Sequence, residues 1–335
     1  MLVTYALDDA PAQCWDRTTD NTFPRDLASS LDDSEIEIWC HNSFFDRTML
    51  NNATELPLFF DLSIHRFRCT MVQAFEHGLP GALGKLGAIL GLPEETQKRE
   101  GRDLIHLFCK PRPKNSKLRR ATRHTHPAEW QDFKEYAIRD TEALREIGKR
   151  LPSWNYPDNQ DELELWFLDQ EINDRGVAFD LELAHAAVRA TQREKKRLAE
   201  ETKEQTDDHV QAATQRDKLL AFLLMEYGVN LPDMRAATLE RRIEDPELPE
   251  ALKELLRVRL ESSQTSQSKY KKALNAVSPD GRIRGMMQWC GAQRTGRNAG
   301  RIFNPLNLPR PKLKQHVIEE GIAALKLGVE DLICA

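Results

Sequence analysis

Cysteine is sparse and scattered in this chain: six residues, at positions 14, 40, 69, 109, 290 and 334, with no C-x-x-C pair. Such spacing argues against a disulfide framework and against a zinc site, and it fits a reducing cytoplasm. Long apolar runs are missing too. The longest, LLAFLLM at 219–225, falls far short of the roughly 20 residues that a membrane span needs. Nor does the chain open with the cationic, apolar, small-residue succession of a secretion signal. Acid is absent from two stretches. Residues 104–126 carry seven Lys/Arg and no Asp or Glu, and residues 281–315 carry eight and again none.

Those two islands stand on a chain whose net charge is −5, so distribution says more than the total. Clustered cations release counterions when they meet phosphate, which rewards nucleic-acid contact. The first island reads first as a solvated loop. The second is rich in Gly and interleaved with Trp289 and Phe303, a composition that favours contact. With 335 residues, 40% hydrophobic and 30% charged, the chain has room for two or three domains with cores of their own.

Apolar residues flank the turn cluster DDAP, which predicts short strands at 2–7 and 12–15. A strand follows at 35–40, then a helix after Asp46. Residues 66–92 predict two helices broken at Gly78-Leu79-Pro80-Gly81, and Pro127 opens a helix running to about 150. Strands followed by helices point to an α/β domain. LPSWNYPDNQ (151–160), with two prolines, reads as a boundary. Beyond it, 161–174, 181–206, 214–227 and 249–275 predict charged helices, with a short strand within 173–180. From 276 the chain turns Gly-rich, and DGRIRGMMQW and RTGRNAGRIFN predict antiparallel strands. The expected domains are therefore 1–150, 160–275 and 276–335.

HNSFFDRTML (41–50) puts Asp46 where a strand gives way to a helix, a place where an Asp also serves as a cap or turn residue. Tyr136 and Asp140 are spaced i,i+4, one turn apart on one helix face, which can aim a phenol and a carboxylate into one cleft. An ordinary amphipathic helix shows the same spacing. Taken in order, HN-x-x-F-Asp46 and then Tyr136-x-x-x-Asp140 resemble the second and third motifs of DEDD-type 3′–5′ exonucleases with a tyrosine in the last motif. The C-terminal island carries a second resemblance. Arg294-Thr295-Gly296-Arg297, Gly300-Arg301 and Asn307-Leu308-Pro309 are similar, in order and spacing, to the thumb-to-palm junction of family A DNA polymerases of the phage and prophage kind. GLPGALGKLGAILGLP and GRDLIHLFCKP resemble the exonuclease domain of the same enzymes.

The resemblance implies a ribonuclease H-like α/β exonuclease domain lacking its first strand, an α-helical thumb, and a short antiparallel β palm segment. Two-metal hydrolysis of a phosphodiester needs several hard oxygen ligands that converge on the scissile phosphate. By resemblance Asp46 and Asp140 are two of the acids binding Mg²⁺ or Mn²⁺, Tyr136 orients the attacking water, and Asn42 and Phe45 support the substrate groove. Arg294, Thr295, Gly296, Arg297 and Arg301 contact primer-template or single-stranded DNA, and Asn307 faces the minor groove. The family's Asp-x-Glu strand would precede Leu2, and its polymerase carboxylates would follow Pro311. The expectation is thus a polymerase fragment truncated at both ends, with weak metal binding and little chemistry of its own. Asn298 stands where the pattern has an aromatic, and Leu306 where it often has Gln. A non-enzymatic DNA-binding prophage remnant and an RNase D-like exoribonuclease are the competing readings.

Overall fold

The computed structural model describes residues 1–53, 62–94, 101–263, 268–292, 294–308, 310–311 and 313–329. The chain divides into two compact units, Met1–Arg175 with Met287–Arg301, and Gly176–Met286 with Ile302–Ala335. The first unit therefore runs past the expected boundary at 151–160 and takes back a hairpin from the far end of the chain.

In the first unit, β1 (Leu2–Tyr5) and β2 (Gln13–Asp16) pair antiparallel, Leu2 opposite Asp16, around the turn that DDAP predicts. Helix α1 (Arg25–Asp32) follows, then β3 (Ile38–Cys40), α2 (Ser43–Asn52) and β4 (Phe67–Cys69). Strand β4 runs parallel to β3, with Cys40 opposite Cys69. Arg66, almost fully buried, donates to the carbonyls of Leu31 (2.7 Å), Ser30 (3.0 Å) and Ile36 (3.2 Å). A charged guanidinium thus satisfies backbone acceptors at the α1–β3 connection that no ladder reaches.

Helices α3 (Thr70–Glu76) and α4 (Leu83–Ile89) flank the Gly-Leu-Pro-Gly break; then come α5 (Arg102–Cys109), α6 (Pro127–Arg150) and α7 (Gln160–Arg175). Proline suits the first helical position because its missing N–H would find no intrahelical partner there, and Lys149 and Arg150 meet the negative end of the helix dipole. One core cluster gathers Trp15, Phe67, Tyr156, Trp166 and Phe167; another joins Leu83 and Leu86 to Ala143 and Ile147 of α6.

The second unit opens with β5 (Val177–Ala178) and α8 (Leu181–Gln205), whose cap Asp180 accepts from the Leu183 amide at 2.9 Å. Helices α9 (Arg216–Tyr227), α10 (Ala236–Ile243) and α11 (Glu250–Ser262) bury Leu219, Leu223, Leu239, Leu252, Leu255 and Leu256. Helix α12 (Ser268–Ala276) leads to β6 (Arg282–Ile283), which pairs antiparallel with β5. Strands β7 (Met287–Ala292) and β8 (Arg297–Gly300) form the hairpin of the first unit, and α13 (Gln315–Leu327) lies in the second. Every sheet among the described residues has two strands. No described helix is long and apolar enough to cross a membrane.

Candidate nucleic-acid interface

The β7–β8 hairpin ends in the turn that holds Arg294, Thr295, Gly296 and Arg297, all exposed. The amides of Thr295 and Gly296 both donate to Ala292 O, at 2.9 and 3.0 Å. Gly296 has φ +64°, the left-handed region where a side chain is strained. A glycine is therefore what lets this turn close while its arginines face outward. Neither Arg294 nor Arg297 pairs with a carboxylate among the described residues, whereas Arg301, at the other end of β8, donates to Gln288 Oε1 at 2.9 Å.

The hairpin is irregular. Gln288 faces Ala299 and Ala292 faces Arg297, so the three residues from Trp289 to Gly291 oppose the single residue Asn298. Cys290 takes φ +46° at this bulge. Asn298 closes the gap with its side chain, accepting the Cys290 amide at Oδ1 (3.1 Å) and donating through Nδ2 to Asp169 Oδ1 (3.2 Å). Asp169, on α7 and only 3% exposed, also accepts from Gln170 (3.0 Å) and Asn173 (3.1 Å). Asn173 in turn accepts the Met287 amide at 3.0 Å. On the other side Trp289 Nε1 donates to Glu76 of α3, which also receives Cys290 Sγ at 3.3 Å and Asn155 Nδ2 at 2.8 Å. Burial first, and then the Glu76 carboxylate, pushes the Cys290 thiol up to about 12. The arginine turn thus stands on a base bonded into α7 and α3.

Asp169, Asn173 and Glu76 escaped sequence reasoning. Local periodicity marks them as ordinary helical polar residues, and only the departure at Asn298 hinted that an amide was needed there. Leu306 is exposed in a short 3₁₀ turn, Pro305–Asn307. Asn307 in the same turn is exposed too, its carbonyl accepting from Lys269 at 3.0 Å. Pro309 lies outside the described residues.

The exonuclease-type residues sit elsewhere in the first unit. Asn42 caps α2 in the left-handed region (φ 73°), which Asn tolerates better than most residues. His41 beside it is fixed by Thr70 Oγ1 at 2.9 Å and by the Gly81 carbonyl at 2.8 Å, which requires Nε2 to carry the proton. Phe45 is 58% exposed. Asp46 lies in the first turn of α2, and its hydrogen-bond partner is the Cys40 thiol; burial pushes its carboxyl up to about 6. Tyr136 is buried on the stripe of α6 shared with Ala143 and Ile147, stacked on Phe133 with centroids 6.2 Å apart. Asp140 lies one turn further along the same helix.

A divalent ion needs several converging oxygen donors. Among the described residues no group of three or more His, Cys, Asp or Glu side chains could hold one, and Asp46 faces a thiol.

The chain is a relative of the phage-type DNA polymerases. It is 34% identical over 317 residues to the DNA polymerase of Bacillus phage SP02, an alignment covering 94% of this chain and 47% of that protein. The chain thus spans about half the length of the curated relative it matches. No family model matches it.

Proposed function

We propose that this chain is a DNA-binding relative of the family A DNA polymerases that grips primer-template DNA through the turn Arg294–Arg297. The observation that carries this reading is the turn itself: two exposed arginines without a carboxylate partner among the described residues, on a hairpin whose base is held by buried amides and carboxylates. Arginines in this state offer phosphate a bidentate donor without first breaking an ion pair. Such contacts position a duplex and carry no sequence information. Thr295 and Gly296 belong to the same contact, and Arg301 and Asn307 extend the DNA-binding set.

In this reading the first unit is a ribonuclease H-like domain of the 3′–5′ exonuclease type. Asn42 and Phe45 belong to its substrate groove, Asp46 and Asp140 to its acids, and Tyr136 is the phenol that orients water. In this reading the chain by itself holds Mg²⁺ or Mn²⁺ weakly and does little hydrolysis; the pairing of the Asp46 carboxylate with the Cys40 thiol supports it. Its role lies in DNA replication in the cytoplasm.

The test is a salt titration of the purified chain against a labelled primer-template, with and without Mg²⁺. Steeply salt-dependent binding that ignores sequence, with the primer left at full length, is the expected result. Failure to bind at low salt would sink the reading, and vigorous Mg²⁺-dependent shortening of the primer would overturn its chemical half.

A further inference from the structure

Helix α9 in the second unit is apolar on every side. Leu219 and Leu223 are fully buried in the cluster that joins it to α10 and α11, and Leu220, Phe222 and Tyr227 pack against the same cluster. On an ordinary surface helix the opposite side is polar. Here Ala221, Leu224, Met225 and Gly228 are exposed there instead, Leu224 by 52% and Met225 by 86%. At 3.6 residues per turn these four fall on one stripe that ends at the C-cap, Gly228. A single exposed leucine is commonplace, whereas contiguous exposed apolar side chains mark a surface that a partner covers.

The charges beside the stripe indicate which partner. Asp217 and Lys218 are both exposed at the start of the helix. Consecutive helical residues project about 100° apart, so the two stand on opposite flanks, Asp217 on the Leu224 side and Lys218 on the Met225 side. Neither side chain makes an ion pair among the described residues. Two such helices related by a twofold axis parallel to their length set the left flank of each against the right flank of the other. Asp217 then meets Lys218 of the second copy, and Lys218 meets its Asp217. Between these pairs Leu224 and Met225 pack across the seam, where Ala221 and Gly228 leave room for close approach. An antiparallel pair centred on the stripe joins neither charge.

We infer that the outer face of α9 is a self-association surface whose occupant is α9 of a second copy of this chain, running parallel to the first. This goes beyond the DNA-binding reading and does not depend on it. The helix has 12 residues and is about 18 Å long. One such pair buries less than the roughly 1,200 Å² where stable interfaces begin, so the dimer is weak, with a dissociation constant on the order of 10–100 µM.

The experiment is sedimentation velocity on the full chain, free of DNA, over a concentration series that brackets this constant. The variants are Leu224→Glu/Met225→Glu, Asp217→Lys, Lys218→Asp, and the exchange Asp217→Lys/Lys218→Asp. Wild type should pass from monomer to dimer. The Leu224/Met225 variant should dimerise about a hundredfold more weakly, with an unchanged thermal melt, because both side chains are exposed in the monomer. Each single reversal sets like charges together at both pairs and should weaken the dimer about tenfold. The exchange should return it to within about twofold of wild type, a restoration that only a self-complementary surface gives. A wild type that stayed monomeric throughout would overturn the inference and leave the face to a different protein. Dimers indifferent to the Leu224/Met225 change would place the contact elsewhere and overturn it too, and an exchange variant as weak as the single reversals would overturn the parallel pairing. None of these failures touches the DNA-binding reading, since no DNA is present.

Discussion

Asn298 donates its side-chain amide to Asp169, 3.2 Å away across 129 residues of chain, and the same amide's oxygen takes the Cys290 N–H inside the hairpin bulge. One side chain therefore serves both the hairpin's irregular ladder and its attachment to α7. Removing it leaves a buried backbone donor and a buried carboxylate short of a partner. Asn298→Ala should cost about 2 kcal/mol of stability, the range for a group stranded in the interior. Chemical denaturation gives the number. A cost near zero would mean that the amide makes no net contribution.

Asp169 also carries a pH signature. Burial raises its carboxyl from 3.8 to about 6 in the folded chain, and the amides of Gln170 and Asn173 only partly offset that rise. The folded state thus holds the proton more tightly than the unfolded state does. The penalty for ionising Asp169 is absent below the unfolded value, accumulates as pH climbs through the window from about 4 to 6, and is fully present above it. Between about pH 5 and pH 8 this group should lower stability by about 1 kcal/mol. Asp169→Asn lowers stability at every pH by misdirecting one donor, yet its profile over that interval should be flatter by that amount. Parallel profiles for variant and wild type would refute the assignment.

Tyr136 and Gly101 share one space. A Cβ built on Gly101 would lie 2.3 Å from Cε2 of the Tyr136 ring, closer than carbon atoms approach. Gly101→Ala should therefore cost about 1–3 kcal/mol through overpacking. In a Tyr136→Ala background the same substitution should be nearly neutral. The double-mutant coupling checks this directly, and additive costs would show that the ring does not occupy the space.

Much of this architecture is legible in the sequence because the signals are local. Pro127 and the terminal Lys149 and Arg150 mark α6, and the strands around DDAP and within RTGRNAGR pair as hairpins. Strand β4 escaped notice, since three residues leading straight into α3 show no alternation. The short helix α10 escaped as well, with nothing but Leu239 on its fully buried face. Attachment of the hairpin to the first unit could not be read, because it runs through amides and carboxylates whose partners lie more than a hundred residues away. The same holds for Asp46: its motif suggests a companion carboxylate, and what it meets is the thiol that ends β3.

Duplex affinity of the Arg294→Ala/Arg297→Ala variant, followed across a salt series beside the wild type, tests the central claim most directly. Each phosphate contact on duplex DNA contributes about 0.9 to the logarithmic salt slope, so the variant's slope should be shallower by about 2 and its affinity weaker on every sequence tried. A variant that bound primer-template with the wild-type affinity and slope would contradict the account, because the exposed arginine turn would then not be what holds the DNA.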